Sequence, residues 1–488
     1  MPAPFFTQNP GEFTRLEGVY IFEKDPPAFV QGVFLGVVGV AGQTLRGPVN
    51  TPVEITSESR FTEIFGERSY ENSTVSVNKV REFLMNKPFG KVVVVRVAAA
   101  AAVIADADDA GAFINVAASS PGAWGNDLSF DTEAASNGDV LMFDLVINYK
   151  GTTTRYKNLD VSVGNDNILD VIGSDLGNLV IVTKLADGTP APAAGVALTA
   201  GADGTVAATD YTAPTGPMDQ VANYPGVAIV AVADGVDQTI NAGINTTMLL
   251  LAQASSDRMF LMWNGDHAAN LATVTADVAN YRSDRIIYVY NSVNTFDREL
   301  GALITVPPHS WLASIMSQTD IDINPGEEAS KDYTGGIASI QTTALSREDY
   351  ITLREAGIAT WERDFDGGHL IVSAVTTDLT SGRTDITRRR MADFLQISVA
   401  RRLRWFVKKK NTVANRAMML GEIEAFSQQL QNQERVIEEF EVVSQGLNSK
   451  ASRAQGIECI LWRVRLIGHM LHIVLKTEIG TTVEISEE

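Results

Sequence analysis

KVVVVRV, residues 91–97, is apolar at five of its seven positions and carries no alternation. A strand with one wet face alternates apolar and polar residues. An unbroken β-branched run instead predicts a strand buried on both faces, as central parallel strands are. The surrounding chain agrees. GVFLGVVGVA (32–41) reads as a second buried strand, bounded by Gly42 and Gly47-Pro48. Between the two strands, SESRFTEIFG (57–66) opens on a Ser cap and stops at Gly66, and TVSVNKVREFLMNK (74–87) has the pattern of an amphipathic helix. Strand, helices and strand in this order begin an α/β layer.

Further along, Ala, Gly, Asp and Thr dominate, and short alternating runs appear: DVLMFDLVINYK (139–150), TTRYKNLDVSV (153–163) and NLVIVTKL (178–185). Asn137-Gly138 and Asp187-Gly188 are turn signals between them. This predicts a β-rich insertion over 101–244. Helix-like TTMLLLAQA (246–254) and HAANLATVTADVANYR (267–282), with strand-like RMFLMW (258–263) and DRIIYVYN (284–291), resume the α/β layer. Residues 383–440 read as two helices. The stripe of the first is Met391, Leu395, Val399, Leu403 and Phe406. The second is capped by Asn411 or Thr412 and has the stripe Leu420, Ile423, Ser427 and Leu430. CILWRVRL (459–466), LHIVLKTEI (471–479) and TTVEIS (481–486) are strand-like.

The expected architecture is α/β (α+β) and multidomain: an α/β layer and a helical C-terminal region, with an inserted β-rich domain and extended N- and C-terminal arms. The boundaries are 1–30 for an extended arm, 31–100 and 245–320 for the α/β domain, and 101–244 for the insertion. A C-terminal domain follows over 321–466, and a second arm over 467–488. Phe5, Phe6, Phe13, Val19 and Tyr20 at one end, and Ile473, Leu475, Val483 and Ile485 at the other, lie in extended patterns with no helical stripe. Such segments satisfy their backbones by pairing with another strand.

The 488 residues carry a formal charge of −20 and a single cysteine, Cys459. One cysteine allows no disulfide within the chain, which suits a reducing compartment. The N-terminus, MPAPFFTQNPGEF, has no basic leader before an apolar core, so no signal peptide is expected. The longest apolar run, VVVVRVAAAAAVIA (92–105), is broken by Arg96 and is too short for a membrane span. Residues 101–300 hold 24 acidic and 8 basic groups, whereas residues 383–416 hold 11 basic and 2 acidic. The island centres on RRLRWFVKKK (401–410). A protein that wraps nucleic acid is usually basic throughout, because phosphate contacts supply most of its affinity. Here the long-range field repels a polyanion.

No P-loop, nucleophile elbow, paired-cysteine motif or His-Glu-x-x-His occurs. His469 and His472, three apart in a strand-like run, would face opposite ways. Asp203 and Asp210 in GADGTVAATDY lack the alternating ligands and closing Glu of an EF-hand. No cofactor or metal is expected. An α/β enzyme with a β-rich accessory domain and a surface binding module remain the alternatives on fold class alone.

Several segments, in order through most of the chain, resemble the contractile tail sheath proteins of bacteriophages and related injection machines. EGVYIFEKDPP (17–27) resembles the family's Pro-Gly-Val-Tyr opening, with Glu17 in place of the Pro. VVGVAGQTLRGPVNTPVEITSESRFTEIFGE (37–67) is similar to its first strand, Gly-Pro-Val turn and helix, and KVVVVRV to its next strand. SSPGAWGNDLSF (119–130) carries its Ser-Pro-Gly-x-Trp-Gly-Asn signature, and LTAGADGTVAATDY (198–211) resembles its Gly-Gly-x-Asp-Gly segment, with Ala202 departing. VPPHSWLASIMSQTD (306–320), LREAGIATWERDFDGGHLIVSAVTT (353–377) and RRLRWFVKKKNTVANRAMMLGEIEAFSQQL (401–430) follow in order. At Thr360-Trp361-Glu362 the chain departs from the family's Trp-Gly-Ala-Arg-Thr.

The resemblance implies a non-enzymatic machine part. Its copies would stack as rings into a helical sheath around a tail tube protein, bounded by baseplate and tail terminator proteins, and would contract to drive the tube through a cell envelope. It would be assembled in a bacterial host cytoplasm, sit on a virion tail and touch neither nucleic acid nor membrane directly. The arms would add strands to neighbouring subunits. The acidic insertion would form the outer surface. Arg401, Arg404, Lys408, Lys409 and Lys410 would face the tube, with Leu403 and Phe406 anchoring their helix in the core.

Overall fold

The computed structural model describes residues 5–6, 20–21, 35–67, 78–84, 91–161, 172, 175–233, 238–255, 257–342 and 345–470. The chain divides into two compact units, one of Met1–Val33 with Leu395–Ile467 and one of Phe34–Phe394 with Gly468–Glu488.

Two short strands, β1 (Phe5–Phe6) and β2 (Tyr20–Ile21), come first and pair with each other in parallel. Phe13 and Val19 lie outside the described residues, as do Ile473, Leu475, Val483 and Ile485. The larger unit then opens with β3 (Val38–Gln43), β4 (Pro52–Ile55), α1 (Glu58–Phe65), α2 (Lys79–Phe83) and β5 (Val92–Val97). Ser57 caps α1 by accepting the Arg60 N–H at 3.2 Å, and Gly66 ends it at φ +80°. Residues 106–197 hold β6 (Asp106–Asp108), β7 (Ile114–Ala118), β8 (Leu128–Ala134), β9 (Phe143–Tyr149), β10 (Thr152–Leu159), β11 (Val180–Lys184) and β12 (Ala193–Ala197). After them come α3 (Ala208–Thr212), α4 (Pro217–Asn223), β13 (Ile229–Val232), α5 (Gln238–Ala254), β14 (Met259–Met262), α6 (Leu271–Val278) and β15 (Ile286–Tyr290). The unit continues through β16 (Val293–Asp297), β17 (Ala302–Val306), α7 (Pro308–Gln318), β18 (Ile337–Ile340), α8 (Arg347–Glu355), β19 (Ile358–Arg363) and β20 (His369–Ile371).

Eight strands form the main sheet in the order β20-β19-β15-β14-β13-β3-β5-β4. Its six central strands are parallel, and β20 and β4 run antiparallel at the edges. Every residue of β5 is buried. Val92 and Val94 enter one core with Phe61, Phe65, Trp311 and Trp361, while Val93, Val95 and Val97 enter the other with Tyr211, Phe260 and Tyr288. Burial on both faces is why KVVVVRV does not alternate.

The sequence carries the insertion to residue 244, and the structure corrects this. Its strands form two small antiparallel sheets, β10-β9-β8-β12 and β11-β7-β6, around a separate core that includes Trp124, Phe130, Phe143 and Ile147. The chain is back in the main sheet by β13, which lies between β3 and β14. The expected start of a C-terminal domain at 321 also falls inside this unit, because β19 and β20 belong to the same sheet.

Three of the segments singled out in the sequence, around Gly47, Pro121 and Gly201, meet at one junction. The Arg96 guanidinium donates to the carbonyls of Gly47 (2.8 Å) and Pro121 (2.7 Å), and the Gly47 N–H donates to Ser120 Oγ (3.0 Å). Asn126 exchanges two 2.9 Å hydrogen bonds with the Gly201 backbone, and Asp203 accepts the Ala123 N–H. A Cβ on Gly201 would stand 2.6 Å from the Gly122 carbonyl oxygen, so close approach of two backbones requires glycine there. The Asp210 carboxylate is likewise taken by the N–H groups of Ala100 and Ala207. Both aspartates flagged in GADGTVAATDY tie their segment to backbone distant in sequence, at Ala123 and Ala100.

Candidate interaction surfaces

The smaller unit contains the last turns of α9 (Ile386–Leu403), followed by α10 (Val413–Asn432), β21 (Ile437–Val443), α11 (Lys450–Ala454) and β22 (Leu461–Leu466). In α9 the stripe is buried at Met391, Leu395 and Val399. Leu403 and Phe406 are only half-buried. They do not anchor the helix in the core, because α9 ends at Leu403 and the helical spacing ends with it. Successive tight turns follow, with Trp405 N–H donating to Arg402 O, Phe406 to Leu403 and Lys409 to Phe406. Lys408, at φ +70°, reverses the chain. Thr412 then caps α10 by accepting the Asn415 N–H at 3.2 Å, and Asn415 donates back to the Lys410 carbonyl at 2.7 Å.

Arg401 at the end of α9, and Arg404, Lys408, Lys409 and Lys410 past it, are all exposed, and among the described residues none of them forms an ion pair. The sixth cation of the run points inward. Arg402 holds Glu422 of α10 through both its Nε and a terminal nitrogen (2.6 Å), and this pairing raises the Arg402 pKa. Trp405 lies among these charges. The Lys409 ammonium sits over its ring, the Arg402 guanidinium is 5.1 Å from the ring centre, and Phe406 meets it edge-on at 4.9 Å. The preceding arginine run behaves differently. Arg388 is exposed, but Arg389 pairs with Asp393 and Asp284, and Arg390 is buried and donates to the Met316 carbonyl. Only the first of the three is available to a patch.

Strands β21 and β22 form a two-stranded antiparallel sheet, with Phe440 opposite Val464 and Val442 opposite Trp462. The Trp462 indole N–H donates to Ser427 Oγ of α10 at 3.0 Å, which seats the apolar face on that helix. The other face carries Arg463 paired with Glu441, and Arg465 with Glu439. Each strand has one partner, so among the described residues both outward edges are open to a further strand.

In the larger unit, the carboxyl ends of parallel strands at a reversal of strand order, here between β3 and β13, are where open α/β sheets take ligands. That place holds a cluster of tilted rings. His309 Nε2 is 2.9 Å from the Val232 carbonyl, with Phe83 at 5.0 Å and Trp263 at 6.1 Å, and His267 lies 4.9 Å from Trp263. Burial lowers the pKa of both imidazoles to about 4. His469 lies outside any strand, contrary to expectation, and its Nε2 is 2.9 Å from the Asp322 carbonyl; His472 lies outside the described residues. Among the described residues no group of three His, Cys, Asp or Glu could hold a metal, and no helix is long and apolar enough to cross a membrane.

No protein-family model matches the sequence, and no curated protein matches it. Solved structures do. The sheath tail protein of Desulfitobacterium hafniense is 15% identical, with 92% of this chain and 100% of that one covered at a TM-score of 0.63. The sheath tail protein of Listeria innocua is also 15% identical, with 89% and 96% covered at 0.63. The contracted sheath complex of an extracellular contractile injection system is 11% identical, with 96% and 98% covered at 0.58. The chain has the fold of these proteins.

Proposed function

We propose that the chain is the structural subunit of a contractile sheath, which polymerises around an inner tube and shortens to drive that tube through a cell envelope. The observation that carries this reading is the extent of the likeness: it runs through nearly all of this chain and nearly all of each sheath chain. The open edges of the β21–β22 sheet support it, because they offer places for the arms of neighbouring copies, residues 1–25 and about 467–488. The unpaired cations at 401–410 support an inward contact with an acidic tube surface, and the acidic insertion suits the outside. A baseplate and a terminator protein would bound the assembly, built in a bacterial cytoplasm for a phage tail or a related injection apparatus. Contraction would draw on a metastable packing of the assembly and use no nucleotide. Negative-stain microscopy of the purified protein tests the reading. Rings or hollow tubes are expected, and dispersed particles at every concentration would refute it.

A further inference from the structure

We infer that the β19–β20 hairpin of one copy docks, through Phe365 at its tip, into a cleft on the larger unit of a second copy. The inference rests on the sheath reading for the association of copies, and adds a contact that needs neither arm. Phe365 is 100% exposed, between Asp364 and Asp366. Its tip is held in one shape. The Asp364 N–H donates to the Gly368 carbonyl at 3.1 Å, and the Gly367 N–H to the Asp364 carbonyl at 3.2 Å. Gly367 and Gly368 turn the chain at φ +88° and +84°, where a side chain would be strained. The Asp364 carboxylate accepts from the Lys331 ammonium and from the N–H groups of Phe365 and Asp366, and this holds its pKa down. A bare aromatic on a fixed backbone loses little freedom when a partner covers it.

The same unit carries a cleft of about 750 Å³, whose lining includes Glu58, Arg81, Phe296, Arg298, Gly335 and Ile337. That is room enough for an aromatic ring. Phe296 is 53% exposed, and Leu303, opposite it in the β16–β17 register, is 57% exposed. The walls are also fixed in advance. Thr295 Oγ1 donates to the Gly336 carbonyl at 2.9 Å, the Asp297 carboxylate accepts the Glu299 N–H at 2.8 Å, and Arg81 pairs with Glu58. Hairpin and cleft match in charge as well as in apolar character. Asp366 beside Phe365 and Arg298 beside the cleft are both exposed, and among the described residues neither forms an ion pair. An aromatic with a carboxylate next to it thus faces an apolar lip with a guanidinium next to it, and such complementarity sets partner and register. Both halves belong to this chain, which makes a second copy the occupant. They are different patches, so the joint is head-to-tail and propagates into a ring or helix instead of stopping at a pair.

The experiment is sedimentation velocity of the full-length protein over a concentration series. The variants are Phe365→Ala, Phe296→Ala and their double, and Asp366→Arg, Arg298→Asp and their double. All four side chains are exposed, so the fold should survive, as circular dichroism checks. Each aromatic variant is expected to weaken self-association about 10- to 30-fold. Their double should weaken it little further, because both remove one contact. Each charge reversal should weaken association and the double reversal restore it. Parent-like association of Phe365→Ala would overturn the inference while the sheath reading stands. Weakening by Phe365→Ala with parent-like Phe296→Ala and Arg298→Asp would place the hairpin elsewhere and overturn it too. So would unchanged self-association with a Phe365-dependent loss of binding to purified tubes, which would give the hairpin to the tube. A parent that stays monomeric at every concentration would overturn the sheath reading and this inference with it.

Discussion

Arg96 stands where three loops of the larger unit meet. Its charge is almost wholly buried, and burial lowers its pKa to about 10 against a modest opposing effect of Asp203. What keeps it there is the pair of carbonyls it serves, Gly47 and Pro121. Arg96→Met would leave both without their donor, costing on the order of 2–4 kcal/mol. Arg96→Lys, able to reach one of them, should cost less. Urea unfolding of the two variants checks this, and equal midpoints for parent and Arg96→Met would disprove it. His309 makes the second residue-scale prediction. An unfolded chain holds its imidazoles near 6.5, whereas burial holds His309 and His267 at about 4 in the fold. Lys79 also lowers His267 and Asp266 raises it. Below about pH 6.5 the unfolded state therefore takes up protons that the folded state refuses. Stability should fall as pH drops from about 6.5 to about 4, by on the order of 3 kcal/mol for His309. His309→Asn should flatten that acid limb in unfolding measured against pH; an unchanged slope would count against this account.

Elements differed in how openly they declared themselves. The strand β5 was legible because burial on both faces leaves an unbroken apolar run, and α1 because Ser57 and Gly66 mark its two ends. The strand β13 was not. Its apolar core, Ile229–Val232, follows a long stretch of Gly, Ala, Asp and Thr that resembles the insertion, and its place is set by distant partners, β3 and β14. The end of α9 was missed for a related reason: the three-to-four spacing continues to Phe406, but the reversal at Lys408 needs tight turns that apolar periodicity does not register. Of the candidate site, the exposure of the five cations was readable from their charge and not from helical position, since four of them lie past the end of α9. The inward turn of Arg402, Arg389 and Arg390 was not, because each depends on a carboxylate or carbonyl far away in sequence. The N-terminal arm yields an element-scale prediction. Deleting residues 1–20 removes β1 and Tyr20, and with them the whole β1–β2 pairing, and leaves β21 and β22 intact. The truncated protein should stay folded by circular dichroism and fail to polymerise. Long tubes from it would sink the strand-donation proposal.

At the scale of the molecule, the chain spends its two units on different tasks. The larger buries a doubly covered sheet and a second β core, and its interior is closed by packed rings. The smaller puts little into a core of its own and exposes a cationic turn and a narrow sheet. The narrow sheet has a consequence for size. A subunit that both lends and borrows strands makes head-to-tail joints, and such joints close on themselves only if the geometry happens to return. In a stack they do not return, so each added ring recreates the surface that accepted it. Nothing within such a subunit counts how many rings precede it. On the proposed sheath reading, the length of the assembly is then dictated by a ruler outside this chain, and without one the polymers should come in every length.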